Sequence, residues 1–298
     1  MTATSTDAAP VAAPATRAPR RRPTSQRIGR AALYLLLVVV AIVPLFPLYW
    51  LVISSFKTPQ EFSQIPPTWF PLAPTLEQIG RALTEVPFAQ SLLNSVIIAG
   101  GCTISVLITS TFAGYVFAKH RFRGKDLIFW AIIATMFLPP VITLVPLYNI
   151  VSAMGLADSY LGVMLPWLAN AFGIFLMRQF ISSVPDELIE AARMDGAGEF
   201  RIVVQFIVPL IKPAIVTLAI FMFVYAWNNF LWPVTILRSE ELYPVVLTVQ
   251  RLMAYTMTFD YRNVVIAGTL IASIPTLVLF LLAQRVFVQG IAASGIKG

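Results

Sequence analysis

Six long apolar stretches dominate this chain, and between its ends each contains no Asp, Glu, Lys or Arg. An α-helix rises about 1.5 Å per residue, so about 20 apolar residues cross the roughly 30 Å hydrocarbon core of a bilayer. A helix also satisfies its own backbone hydrogen bonds, which no water is present to do there. The pattern predicts an all-α membrane protein with six transmembrane helices. The predicted spans lie at approximately 31–54, 91–118, 127–151, 159–177, 213–236 and 263–284.

The composition agrees with a surface that faces lipid. Hydrophobic residues make up 58% of the 298 and charged residues 12%, whereas a soluble domain carries about 25% charged residues. The 21 Lys and Arg outnumber the 14 Asp and Glu. In a soluble protein this excess would suggest nucleic acid, but in a membrane protein it is typical of cytoplasmic loops. We therefore expect membrane lipids, and no nucleic acid, as partners.

The placement of the basic residues predicts the orientation. If the N-terminus is cytoplasmic, sixteen of the 21 lie in cytoplasmic segments and five in outer loops. The positive-inside rule then places both termini in the cytoplasm. The five outer residues are Lys57, Arg81, Arg238, Arg251 and Arg262.

The N-terminal segment differs in character from the rest. Residues 1–26 are rich in Ala, Thr, Pro and Arg, and we expect them to form a disordered basic cytoplasmic tail ahead of a six-helix domain at 27–298. A mitochondrial targeting segment has a similar composition and stays an alternative. The first span follows arginines, as a signal peptide does, but its apolar run is too long and no small-residue cleavage site follows it. We expect this span to remain in the mature protein.

No feature of the chain supplies energy or a reaction centre. Ion-coupled carriers hold ionisable residues within their helices, and the predicted spans carry neutral polar residues instead. A P-loop requires G-x-x-x-x-G-K-[ST], and Gly124-Lys125 is followed by Asp126. Cys102 is the single cysteine, and the single histidine, His120, lies in a basic cluster, where we interpret it as a solvated loop residue. The sequence predicts neither an enzyme nor a metal site, and a partner must bind any ATP.

A short acidic helix is predicted in the longest cytoplasmic loop, residues 178–212. Ser183 and Asp186 have the spacing of a capping box at its start. Acidic residues in the first turn complement the helix dipole. Gly196 or Gly198 is expected to end the helix in a left-handed conformation.

The surface of this helix suits contact with another protein. Ala191 and Ala192 are small enough for a second backbone to approach closely, and Glu187 and Glu190 lie beside them. A second helical stretch near residues 200–207 leads to two prolines at the mouth of the fifth span, Pro209 and Pro213.

The same loop resembles a known family motif. Binding-protein-dependent ABC importer permeases carry E-A-A, three residues, G, nine residues and I-x-L-P. This chain has Glu190-Ala191-Ala192, three residues, Gly196, nine residues and Phe206-Ile207-Val208-Pro209. Phe206 and Val208 depart from the pattern but stay apolar. The stretches 226–233 and 284–298 are similar to the carbohydrate branch, in the subunit resembling the maltose-type second permease.

The resemblance implies a MetI-like fold, a place in the bacterial inner membrane and a role in sugar import. It also implies a second homologous permease, two ATPase subunits that hold ATP and Mg, and an extracytoplasmic solute-binding protein. No cofactor is expected in this chain. The residues expected to couple to an ATPase are Glu187, Glu190, Ala191, Ala192, Gly196 and Pro209.

A candidate translocation pathway is formed by Asn94, Trp227, Asn228 and Asn229, because amides and aromatic faces suit an uncharged hydroxylated solute. Hydrogen bonds between helices, or anchoring at the membrane interface, are the alternatives. The outer loops, 55–90 and 237–262, are expected to meet the binding protein. Two other functions stay open: the same architecture for a polyamine, glycerol phosphate or an amino acid, and an ion-coupled secondary transporter.

Overall fold

Residues 24–254 and 261–294 are described by the computed structural model, and all regular structure in these ranges is helical. Contacts divide the chain into two units, Met1–Trp50 and Leu51–Gly298. Of the predicted disordered tail, residues 1–23 lie outside the described residues, and the first helix begins at Thr24. The α-helices are α1 Thr24–Ser55, α2 Pro59–Phe62, α3 Glu77–Thr84, α4 Phe88–Lys119, α5 Lys125–Ala134, α6 Pro140–Ala153, α7 Tyr160–Met164, α8 Ala171–Ser182, α9 Asp186–Met194, α10 Glu199–Ile202, α11 Val208–Leu210, α12 Lys212–Trp227, α13 Leu231–Ile236, α14 Val245–Ala254 and α15 Arg262–Ser294.

Within the described residues, three continuous helices, α1, α4 and α15, are long and apolar enough to cross a membrane. They coincide with the first, second and sixth predicted spans. Helix α1 contains Pro44 and Pro47 within its length, and its aliphatic side chains from Leu33 to Leu48 are exposed. Surfaces of this kind match a hydrocarbon solvent rather than water.

The third predicted span, 127–151, is not one straight helix. Helix α5 continues as a 3₁₀ turn at Thr135–Phe137, and α6 then leaves at an angle of 107°. The cause is Pro139-Pro140: proline lacks a backbone N–H and pushes the residue before it out of the helical region. Leu138 is accordingly extended, with ψ 119°.

The fourth predicted span, 159–177, is also broken. Helix α7 and its 3₁₀ extension Leu165–Trp167 meet α8 at 46°. Asn170 starts α8 afresh, because its side-chain oxygen accepts a hydrogen bond of 2.9 Å from the amide of Gly173. An N-cap of this kind satisfies a donor that the interrupted helix leaves open.

The fifth predicted span, 213–236, ends early as a helix. Helix α12 stops at Trp227, and the short α13 follows only at Leu231. Before α12 the chain turns by 86° at Ile211, which lies between the prolines at 209 and 213. Apolar content alone therefore predicted these segments, whereas the third and fourth are bent and the helix of the fifth ends at Trp227.

Helix α4 lies at the centre of the second unit and packs against α8 and α12. Helix α15 packs against α3, α12 and α14. The largest apolar cluster joins α4, α8 and α12 to the loop helices, with Met177, Ile181, Ile202, Ile207 and Leu218 among its buried members. The loop between α8 and α12 is thus part of the packed core rather than a free connection.

Candidate functional site

The predicted acidic loop helix is present as α9. The prediction was right for its C-terminal end and wrong for its N-terminal end. Gly196 adopts φ +79°, which confirms a left-handed end. No capping box forms at the start, because the Ser183 hydroxyl donates to the carbonyl of Phe180 at 2.7 Å. Pro185 occupies the N-cap position instead, without a side-chain hydrogen bond. That part of the prediction was wrong: a nearby helix end competes for the same hydroxyl.

Helix α9 has one face in the core and one in solvent. Ile189 and Ala192 are each 3% exposed and pack in the cluster beneath the loop. Ala192 was expected on the open surface, and the structure places it on the buried face. The exposed side carries Glu187, Glu190, Ala191 and Met194, the last 85% exposed. Their spacing puts them on one stripe of the helix.

The start of α9 is held by Lys119, the last residue of α4. Its ammonium donates to the carbonyl of Val184 and to Asp186 Oδ1, both at 2.5 Å. The Lys119 side chain is buried and that of Asp186 is exposed. The hydrogen bond from Lys119, followed by its charge, lowers the pKa of Asp186 from its ordinary value.

The end of α9 is held by a cluster in which Tyr115 of α4 and Arg193 of α9 both bond Glu199 of α10. The Glu199 carboxylate accepts hydrogen bonds from Arg193 Nε at 2.8 Å and from the Tyr115 hydroxyl at 2.6 Å. His120 Nε2 lies 3.2 Å from the same carboxylate, and its ring meets that of Tyr115 edge-on. The hydrogen bond from Arg193, opposed by burial and assisted by Tyr115, lowers the pKa of Glu199 to about 2. His120 is therefore a partner of Glu199, and its side chain stays 36% exposed to solvent.

A π-helical stretch, Val203–Ile207, links α10 to α11. Single π turns inside helices are often found at functional positions, because they relax the ladder of hydrogen bonds. Pro209 lies in α11, just before the 86° turn at Ile211. The π-helical stretch, Pro209 and this turn thus lie between the loop helices and α12.

Two of the four candidate pathway residues are buried within the chain. The Asn94 amide donates to the carbonyls of Glu241 and Tyr243 at 2.8 and 3.0 Å, and its oxygen accepts from the Tyr160 hydroxyl at 2.6 Å. The Trp227 indole donates to the carbonyl of Ala272 at 3.1 Å, and its ring packs in a buried cluster. These contacts correspond to the alternative of hydrogen bonds between helices.

The other two candidates, Asn228 and Asn229, line an open groove at the end of α12. This part of the groove encloses about 580 Å³ and continues past Trp167 and Tyr225 into a second part of about 570 Å³. The two aromatic rings meet at a centroid distance of 5.1 Å. Trp167 and Tyr225 were missed by sequence reasoning, because an aromatic residue in an apolar run gives no signal of which way it faces.

The comparisons with known proteins bear on this arrangement of loop and groove. Residues 110–292 match the family described as "Binding-protein-dependent transport system inner membrane component". This match covers more than half of the chain. The chain belongs to this family. It is an inner-membrane, multi-pass permease subunit of a binding-protein-dependent ABC importer, as the loop motif predicted, and is not itself catalytic.

Relatives cover nearly the whole permease. It is 33% identical over 268 residues to the sn-glycerol-3-phosphate transport system permease protein UgpE of Yersinia pestis bv. Antiqua (strain Antiqua), covering 88% of this chain and 95% of that protein. The corresponding UgpE of Escherichia coli O6:K15:H31 (strain 536 / UPEC) is 34% identical over 266 residues, covering 87% of this chain and 94% of that one.

Solved structures agree with the fold. A chain from the crystal structure of a bacterial ABC transporter that imports the acidic polysaccharide alginate superposes on the permease with a TM-score of 0.80 at 25% identity. The match covers 90% of this chain and 99% of that chain. A second alginate transporter structure, solved with a periplasmic protein bound to alginate pentasaccharide, gives a TM-score of 0.61 at 16% identity and supports the fold alone.

Proposed function

We propose that the permease imports a sugar or sugar-like solute, together with a second permease, two ATPase subunits and an extracytoplasmic binding protein. Its family membership supports the binding protein and the membrane role. The ATPases would hold ATP and Mg, and this chain would carry motion and solute. Lipid would contact the exposed aliphatic residues of α1 and α15.

The proposed topology has six crossings with both termini in the cytoplasm. Three crossings are the continuous helices α1, α4 and α15, and three are the bent pairs α5–α6 and α7–α8 and the segment α12–α13. The excess of basic residues in the cytoplasmic segments supports this direction. In this proposed topology α9 lies at the cytoplasmic surface, and the outer loops, 55–90 and 237–262, face the binding protein.

One observation carries the coupling role: α9 is held at both ends by α4 while its outer stripe stays exposed. Lys119 holds the start, and Glu199 with Arg193 and Tyr115 holds the end. The exposed side presents two carboxylates and the apolar Met194, a mixture that suits a cleft in a partner protein. An ATPase that moves α9 would therefore also move α4 and, through the π stretch, α12.

The proposed cargo follows from the groove rather than from the relatives. The relatives named above carry sn-glycerol 3-phosphate or alginate, and both are anions. No Asp, Glu, Lys, Arg or His is among the described residues that line the groove here. An uncharged sugar is thus the first candidate, and a glycerol phosphate, favoured by the UgpE relatives, is the second.

The test is purification of the tagged permease from its native membrane, mass spectrometry of the proteins that accompany it, and uptake into proteoliposomes loaded with ATP. We expect a second permease, an ATPase and uptake of an uncharged sugar that survives an uncoupler and stops when ATP is omitted. Uptake of sn-glycerol 3-phosphate alone would support the second candidate. Uptake that an uncoupler abolishes while ATP is intact would overturn the ATP-driven mechanism.

A further inference from the structure

Three interruptions of the helices meet at one groove. The 3₁₀ turn after α5 contributes Thr135 and Met136, and the turn after α7 contributes Pro166 and Trp167. The end of α12 contributes the segment 228–230. Interrupted backbone at membrane depth is tolerated where it is buried in protein or lines a water-filled cavity. These interruptions border a groove, so they indicate a hydrated site.

The interruptions lie at similar depth when the loops 119–125 and 183–211 are cytoplasmic. The 10 residues of α5 rise about 15 Å from its cytoplasmic end. The 12 residues of α8 rise about 18 Å, and the 16 of α12 about 24 Å. All three breaks therefore fall between the middle and the outer boundary of a hydrocarbon core of roughly 30 Å. In secondary transporters with discontinuous helices, solute sites lie near the bilayer midplane.

Several polar groups on the groove have no partner among the described residues. Asn228 uses its amide nitrogen on the carbonyl of Val224, which leaves its oxygen open. Asn229 uses its oxygen to accept from the amide of Trp232, which leaves its nitrogen open. The Tyr225 hydroxyl makes no hydrogen bond to any residue that the structure describes. An acceptor, a donor and a hydroxyl that does both suit the hydroxyl groups of a sugar.

The aromatic residues supply the other half of such a site. Tyr225 is 46% exposed, and its ring meets Trp167 at an interplanar angle of 69°. A sugar ring has an apolar C–H face and a polar rim, so it can lay the face on an aromatic ring and direct the rim to amides. The groove also contains Thr143, and no Lys, Arg or His is among the described residues that line it, although a buried anionic group would need a cation at this depth.

We propose that Trp167, Tyr225, Asn228 and Asn229 bind one uncharged sugar ring directly, so this subunit reads the solute and does not only line a passage that the partner permease selects. The proposal rests on the proposed function, because the groove must be reached by solute during import. It assigns specificity to Trp167 and Tyr225, which are not among the pathway residues predicted from the sequence.

The first experiment uses the reconstituted importer and a thiol at the site. Cys102 is the single cysteine and is buried, so an Asn229→Cys variant adds one accessible thiol. We expect a charged methanethiosulfonate reagent to modify it, and an uncharged sugar from a panel of glucose, maltose, trehalose and raffinose to slow the modification. Asn149→Cys is the matched control, since Asn149 is exposed on α6 outside the groove; it should be modified without protection.

The second experiment uses Tyr225→Phe, which removes only a hydroxyl. Loss of one hydrogen bond of about 1 kcal/mol corresponds to about a fivefold change in affinity. We expect the KM for uptake of the protecting sugar to rise about fivefold. Tyr34→Phe, at an exposed tyrosine of α1, should leave the KM unaltered.

The outcomes separate this proposal from the proposed function. Protection of Asn229→Cys by a sugar, together with the KM change, supports direct binding. If the wild-type importer takes up sugar but the thiol is unreactive or unprotected and the KM is constant, the groove is filled by another subunit and the proposal is overturned. Protection by sn-glycerol 3-phosphate alone also overturns it. Absence of ATP-dependent sugar uptake by the wild-type importer overturns the proposed function first.

Discussion

Lys119 Nζ lies 2.5 Å from Asp186 Oδ1, although the two residues are 67 positions apart in the chain. The same ammonium binds the carbonyl of Val184, so the end of α4 fixes the start of α9. This contact attaches the loop helix α9 to the end of the membrane helix α4. Under the proposed coupling role, a displacement of α9 is expected to move α4.

Replacing Lys119 should uncouple this pair. In Lys119→Gln the side chain is shorter and neutral, so the charged hydrogen bonds to Val184 and Asp186 are lost. We expect uptake to fall severalfold while the protein stays in the membrane. Trypsin should also cut after Arg193 more rapidly. Arg123→Gln removes a charge from the same exposed segment. The Arg123 side chain makes no hydrogen bond to any residue that the structure describes, so this variant should behave as wild type. Equal behaviour of the two variants would refute the role of Lys119.

The Glu199 cluster should respond to acid. The pKa of Glu199 is lowered to about 2 from an ordinary 4.5 by the bond from Arg193, so its contribution to stability is complete above pH 4.5 and is lost as the pH falls toward 2. Amide exchange of residues 186–199, corrected for intrinsic pH dependence, should accelerate across that window. Glu199→Gln should be faster already at pH 7. Glu187→Gln, at an exposed position of α9, should retain the wild-type profile.

Gly196 and Gly198 form a matched pair. An added Cβ would meet nothing within 4 Å at either position, but Gly196 has φ +79° and Gly198 has φ −72°. A non-glycine residue in the left-handed region costs roughly 1–2 kcal/mol. Gly196→Ala should therefore loosen the end of α9 and reduce uptake, whereas Gly198→Ala should not. Cleavage after Arg193 and uptake rates measure both, and equal effects would show that conformation at 196 is unimportant.

The two alanines of the loop motif should separate by phenotype. Ala191 is exposed and Ala192 is buried. Ala191→Trp should leave the permease folded but prevent an ATPase from accompanying it in purification. Ala192→Trp overfills the core beneath α9, at a cost of about 1–3 kcal/mol, and should lower the melting temperature. Ala191→Ser is the small control; ATPase retained by Ala191→Trp would contradict docking on this face.

Asn94 should act on stability and not on solute affinity. Its side chain is fully buried and joins α4 to the outer segment through the carbonyls of Glu241 and Tyr243. Asn94→Leu leaves these groups unpaired, at about 1–3 kcal/mol for each buried group. We expect a lower melting temperature in detergent with an unchanged KM for uptake. Asn149→Leu, at an exposed position, is the control, and a KM change in Asn94→Leu alone would return this residue to the pathway.

Much of the fold followed from local pattern. Long uncharged apolar runs predicted which segments form the membrane helices, and the left-handed glycine at 196 ended α9 as expected. The loop motif predicted the family, because its spacing fixes one short helix and one proline turn. The bends in the third and fourth spans and the early end of the helix in the fifth were not predicted, although Pro139 and Pro140 were visible in the sequence; the neighbours that compensate a break in a membrane helix were not.

By itself, the sequence determined that the protein surface faces lipid, that the fold is all-α, and where along the chain α9 lies and ends. Hydropathy, charge placement and glycine conformation are properties of short segments. Only the tertiary structure decided that Lys119 holds Asp186, that Glu199 gathers Arg193 and Tyr115, and that three interrupted helices border one groove. Those contacts depend on the packing of distant segments, and the neutral and aromatic residues of the groove bear no local mark of the direction they face.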